Sequence, residues 1–290
     1  MSASIDAHGV ETLPAVEPIV LRKSRLGAYA VWQLRDYLMD RGAPTFIVAI
    51  LFGYLGLQPL LGQLSRRTAD IPPSLVVRFG SAAAARASMM GEFNYLFLRG
   101  FIGTLVFLGA LFAMNGIVAN DRKLGFYRFL FAKPVAPARY YGQAFVIHWA
   151  GFLGVMTLLG VMYGALVWPV LSWPLMSVVA LTFLCYAGIA FLLSAAARWD
   201  WLSLVAVSVA ATYLWGRFGS STSPLAKLLY LLPPLHRTDE VYAAVSGRPT
   251  FAPGAEHVIP WNSIWWLAGY GAVCFVLGLV VLRHRRLAIV

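Results

Sequence analysis

Six long apolar runs constrain this chain more than any other feature. They fall at about residues 43–64, 96–119, 140–167, 175–197, 201–215 and 264–282 and are nearly free of charge. A bilayer core is about 30 Å thick, and a helix needs about 20 apolar residues to cross it. In hydrocarbon every backbone N–H and C=O must be paired internally, which makes such runs helices. The expected fold class is all-α: a polytopic membrane protein with six transmembrane helices. Of 290 residues, 60% are hydrophobic and 12% charged, with a mean hydropathy of +0.71. Soluble domains carry about 25% charged residues. A water-soluble fold of this length could not hide so much apolar surface.

The net charge of +11 does not point to nucleic acid, because the bases form no soluble basic face. They sit between the apolar runs and in the tails, where they act as topology signals and contacts to lipid headgroups. Placing both termini in the cytoplasm puts 14 bases on the inner side and 8 on the outer, with Arg99 left near a membrane boundary. The outer bases are spread through longer loops. This orientation and a plasma (inner) membrane location are therefore expected. Residues 1–20 hold three acids and no basic cluster, so they do not form a cleavable signal peptide. Residues 1–24 are expected to be a mobile cytoplasmic tail, followed by a single transmembrane domain over 25–290.

From Arg25 to Arg41, Leu26, Ala30, Leu34 and Leu38 recur every fourth residue, while Arg35, Asp36 and Asp40 fall largely elsewhere on the wheel. This predicts an amphipathic helix, and Tyr29, Trp32 and Tyr37 suit a membrane interface. Between the first two spans, the alanine-rich piece from Ser81 to Met90 reads as a short helix on the outer surface. Between spans five and six, the apolar piece from Pro224 to Leu232 is too short to cross and reads as a partly inserted or interfacial helix. The tryptophans at the span ends (Trp168, Trp173, Trp199, Trp201, Trp215, Trp261, Trp265 and Trp266) read as anchoring belts.

Chemistry is sparse. No phosphate-cradling GxxxxGK[ST] loop is present, so the chain has no P-loop engine of its own. His148, inside the third run, reads as a hydrogen-bonded core residue rather than a metal or haem ligand. Glu92 and Arg99 read as an interfacial ion pair. Cys185 and Cys274 lie inside spans and read as small apolar packing residues. Gly151, Gly154, Gly160 and Gly164 permit close helix approach, either within the chain or at a dimer seam. No paired aspartates or nucleophile elbow mark an intramembrane enzyme.

The remaining feature is the loop 120–139, NDRKLGFYRFLFAKPVAPAR. It sets Arg122, Lys123, Arg128, Lys133 and Arg139 against one acid, Asp121. A short positive loop stays on the cytoplasmic side. Its Asn120-Asp121, Gly125-Phe126-Tyr127-Arg128, Leu130 and Lys133-Pro134-Val135, set in this order of spans, resemble the membrane subunit of a type-2 ABC exporter. The resemblance covers nearly the whole chain from about Arg25, although many family members carry an acid where Arg128 stands.

The resemblance implies a non-enzymatic permease without a cofactor. ATP and Mg would be bound by a separate ABC ATP-binding subunit, and a second permease copy or homologue would complete the path. The loop would supply the partner contacts, through Asp121, Arg122, Lys123, Gly125, Phe126, Tyr127, Arg128, Phe129, Lys133 and Pro134. The interfacial helix, with Arg25, Trp32, Arg35 and Asp36, would form the second contact surface. A membrane scaffold docking another cytosolic protein, and less readily an intramembrane enzyme, are the competing readings.

Overall fold

The computed structural model describes residues 26–47, 49–51, 71–114, 117–118, 121, 136–166, 171–196, 201–221, 223–246 and 259–284. Among the described residues it is all-helical, without a strand. The elements are α1 (Leu26–Asp36), α2 (Pro73–Phe79), α3 (Ala82–Phe97), α4 (Gly103–Met114), α5 (Pro137–Leu166), α6 (Trp173–Ala196), α7 (Trp201–Phe218), α8 (Thr238–Ser246) and α9 (Trp261–His284). Two π-helical turns, Tyr37–Gly42 and Leu98–Ile102, follow α1 and α3, and 3₁₀ turns cover Pro224–Leu231 and Leu235–Arg237.

Among the described residues, four helices are long and apolar enough to cross a membrane: Ala82–Met114, Pro137–Ala165, Trp173–Ala196 and Trp261–His284. They cover the second, third, fourth and sixth expected spans. The fifth is helical over Trp201–Phe218, and most of the first lies outside the described residues. α6 is the most buried of the four and α9 the least. α6 is the central post. α9 and α4 pack on it most extensively, and α5 and α8 complete its surround.

Two expectations about connections are corrected. The alanine-rich segment is not a separate outer helix, because α3, the π turn and α4 form one helix of 33 residues. Its start is set by local chemistry. Gly80 takes a left-handed conformation (φ 77°) that ends α2. Ser81 then caps α3, its hydroxyl accepting from the Ala84 N–H at 3.1 Å.

The amphipathic helix is likewise not separated from the first span, because helical geometry runs from α1 through the π turn into 43–47. Pro44 explains the wide turn. Its ring clashes with the carbonyl four residues back and it offers no N–H, so the preceding turn opens. Thr45 Oγ1 donates to the Arg41 carbonyl, one turn back, at 2.7 Å.

The third, fourth and sixth spans each begin two or three residues before the expected position. Pro137 suits the first position of α5, where a missing N–H costs nothing. Ser172 caps α6 by accepting from the Leu175 N–H at 3.3 Å. Trp173, Trp261, Trp265 and Trp266 lie exposed at the starts of α6 and α9, as anchoring side chains would. Cys185 and Cys274 are free and buried among apolar neighbours.

Candidate functional site

A polar constellation lies where α1 and its π turn meet the end of α4 and the first half of α5. The last carbonyls of any helix lack intrahelical partners. At the end of α4, the Ala113 carbonyl is claimed by two side chains from different elements. Arg41 Nη1 donates to it from the π turn, and His148 Nδ1 approaches it from α5 at 3.0 Å. A carbonyl only accepts, so His148 must carry its proton on Nδ1. Its side chain is 3% exposed. The expected hydrogen-bonded core histidine is thus found, with a specific partner. The guanidinium at a helix C-terminus also complements the negative end of the helix dipole.

Tyr37 fixes the approach of α1. It is buried, its ring lies 5.0 Å from that of His148 at 35°, and it fills a notch at Gly151. A Cβ on Gly151 would fall 2.6 Å from the Tyr37 ring. Gly151 therefore serves packing within the chain. Gly160 does the same against Leu171, whereas Gly154 faces open space. One turn before Tyr37, Gln33 is also buried, while Val31, Trp32, Leu34, Leu38 and Met39 are exposed. The face turned to the protein is that of Gln33 and Tyr37, and not the side carrying Leu34 and Leu38 of the expected apolar stripe.

Asp121, at the mouth of the 120–139 loop, accepts a hydrogen bond from the Tyr141 hydroxyl of α5 at 2.9 Å. Burial raises its pKa, opposed by the Tyr141 hydrogen bond and the field of Arg41, with Asp36 pushing it further up. Asp36 is raised too, by burial first and then by Asp40, against Arg41. Raised acids give stability that is complete below their ordinary pKa of 3.8 and is lost as pH rises through the elevated folded value. Asp121→Asn keeps an oxygen for Tyr141 and removes the charge. Thermal unfolding followed from pH 4 upward should show a shallower loss for Asp121→Asn than for the parent, with part of the slope retained through Asp36. An unchanged slope would refute the assignment.

Val118, just beyond α4, donates its backbone N–H to Ser194 Oγ of α6 at 3.2 Å. The segment leading into the loop is thereby fastened to the central post as well. Of the residues nominated from sequence, Asp36 and Asp121 join this junction, whereas Trp32 and Arg35 are exposed on α1 away from it. Arg25, Arg122, Lys123, Gly125, Phe126, Tyr127, Arg128, Phe129, Lys133 and Pro134 lie outside the described residues. Sequence reasoning missed Arg41, Tyr141 and the Ala113 carbonyl. The one available signal was an arginine immediately before an apolar run, with a histidine inside another.

A second polar group ties the connection between α7 and α9 to the bundle. Arg99 was expected to pair with Glu92; its ion pair is instead with Asp239 of α8, at 2.8 Å. A pairing between residues 140 positions apart in sequence leaves no local trace. Burial raises the Asp239 pKa, and Arg99 counters it. Tyr242 of α8 is buried against Gly103 and lies 3.5 Å from Thr182 of α6. Ser263 donates to Glu240 and is itself approached by Arg237 at 3.4 Å. Trp215 and His236 stack at 3.9 Å.

Among the described residues, no three His, Cys, Asp or Glu side chains converge as a metal-binding group. The constellation ties helices together through the Ala113 carbonyl and the Asp121–Tyr141 pair. No protein-family model matches the chain, and no curated protein shows significant similarity to it.

Proposed function

We propose that this chain is the membrane permease subunit of an ATP-binding cassette exporter, driven by a separate ATPase that docks on the 120–139 loop. The observation that supports this reading is the junction itself. The turn before the first span and both flanks of the loop come together at one junction, where Arg41 and His148 share the Ala113 carbonyl and Tyr141 donates to Asp121. A loop pushed from the cytoplasm moves spans only if its flanks are secured to them. The four apolar helices supply a membrane body, and the absence of a P-loop leaves the energy source to a partner. The outward direction and the working unit of two permeases with two ATPases come from the resemblance.

ATP would act by making the ATPase pair grip one permease state better than the other, since a ligand shifts an equilibrium only by its differential affinity. Within the loop, Phe126, Tyr127 and Phe129 would pack in the partner's cleft. Arg122, Lys123 and Arg128 would supply charge contacts, and Pro134 would end the coupling helix.

The test is purification of the tagged chain from cells that co-express the stand-alone P-loop ATPases of the same genome. One ATPase should co-purify. Phe126→Ala and Arg128→Glu should each weaken its retention roughly tenfold or more, equivalent to about 1.4 kcal/mol, with thermal unfolding of the membrane subunit unchanged. Recovery of a cytosolic partner lacking a P-loop would favour the scaffold reading. Retention indifferent to both substitutions would overturn the assignment of the loop.

A further inference from the structure

We infer that Arg41, together with His148, is a positioning residue that locks the N-terminal helix and both flanks of the 120–139 loop into one rigid body. Force applied at the loop or at the N-terminal helix then reaches the second and third spans together. The purpose of this clamp rests on the permease reading; its geometry does not.

Four ties converge, each joining a different pair of elements. Arg41 joins the π turn to the end of α4 through the Ala113 carbonyl. His148 joins α5 to the same carbonyl, so a single oxygen links three segments that lie 72 and 35 residues apart in sequence. Tyr37, seated in the Gly151 notch and against the His148 ring, fixes the rotation of α1 about its own axis. Asp121 and Tyr141 close the loop side.

A hydrogen bond from a charged donor is about twice as strong as a neutral one, and burial strengthens both bonds at Ala113. Arg41 is the member whose loss undoes the most. Without its donor, the π turn loses its hydrogen bond to the end of α4. A lysine could still place one N–H on the carbonyl, whereas methionine would keep the length of the stem and offer no donor.

The experiment places nitroxide labels at Met39 and Val146, which are 68% and 54% exposed. The chain is held in lipid nanodiscs, and the distance is read by pulsed EPR. The parent should give one narrow distance. Arg41→Met should widen the distribution at least twofold, Arg41→Lys should restore it, and His148→Phe, which keeps a ring against Tyr37, should widen it as well. A broad parent distribution, or an Arg41→Met as narrow as the parent, would overturn the clamp.

In the complex with the ATPase, the Met39–Val146 distance should stay fixed between nucleotide-free and ATP–vanadate states, while the distance between Met39 labels on two copies changes. Arg41→Met should keep ATP hydrolysis within about twofold and lose that second change; this range allows for weaker docking worth up to about 0.4 kcal/mol. If Arg41→Met keeps the nucleotide-driven change in full, force transmission through Arg41 is refuted. If no ATPase co-purifies, the permease reading fails, and the label distances in the chain alone still decide the clamp.

Discussion

Gly188→Val is expected to force α6 and α9 apart and to destabilise the protein by roughly 3 kcal/mol or more. A Cβ at Gly188 would lie 2.2 Å from the Gly271 carbonyl oxygen. At Gly271 it would lie 2.7 Å from the Leu184 carbonyl oxygen and 2.8 Å from the Cys185 Cα. Overpacking costs about 1–3 kcal/mol when side chains can yield. Here the obstacles are backbone atoms of two long helices, which yield only by separating. Seven residues beyond Gly271, Gly278 extends the seam, where a Cβ would meet the Phe191 ring at 2.6 Å.

Helices in lipid gain no hydrophobic drive from meeting one another, so close backbone approach is what holds such a pair. This seam is also the most extensive helix pairing among the described residues. Thermal unfolding in detergent would measure the effect. Gly188→Ala should fall well below the parent, and Gly154→Ala, whose Cβ meets nothing within 4 Å, should match it. Equal midpoints for Gly188→Val and parent would mean that α6 and α9 do not pack through these glycines.

Phe152→Ala is expected to cost about 3–5 kcal/mol, the usual range for emptying a buried aromatic site. Phe152 is fully buried, and its ring stacks on Phe183 at 4.2 Å and 18°. The same ring covers Gly109 of α4, where a Cβ would fall 2.2 Å from it. One side chain therefore joins α4, α5 and α6. Gly109→Ala alone should destabilise by displacing the ring. Combined with Phe152→Leu, it should cost less than the sum of the two changes, because the smaller side chain leaves room for the methyl group. Neighbours that share a contact are non-additive in this way. Strict additivity of the unfolding free energies would show that the ring and the glycine do not meet.

The spans were legible because crossing a bilayer demands a long apolar run, and hydropathy is a local property. α5, α6 and α9 fall within three residues of the expected limits. The beginning of the Ala82–Met114 helix was not legible. Its first half is only moderately apolar, and a helix leaving the membrane looks the same, residue by residue, as one lying on its surface. The opening of the turn before Pro44 had a local cause, yet its consequence, continuity of α1 with the first span, depended on Tyr37 and Gly42 being held against α5.

The junction was half legible. Asp121 stood out as the one acid of the basic loop, Asp36 as an acid of the amphipathic helix, and His148 as an intramembrane histidine. Arg41 looked like one more inner-side positive charge. The Ala113 carbonyl has no signature at all, since every residue carries one.

By itself the sequence determined the class of the protein: membrane-embedded and helical, without a nucleotide-cradling loop, with a basic segment between two apolar runs. Tertiary structure alone decided which groups meet. It gave Arg99 to Asp239 rather than Glu92, closed Gly188 onto Gly271, and brought Arg41 and His148 to one carbonyl. The physical reason is that burial in lipid is dictated residue by residue along the chain, whereas pairing depends on which helix faces stand next to each other once the bundle has formed.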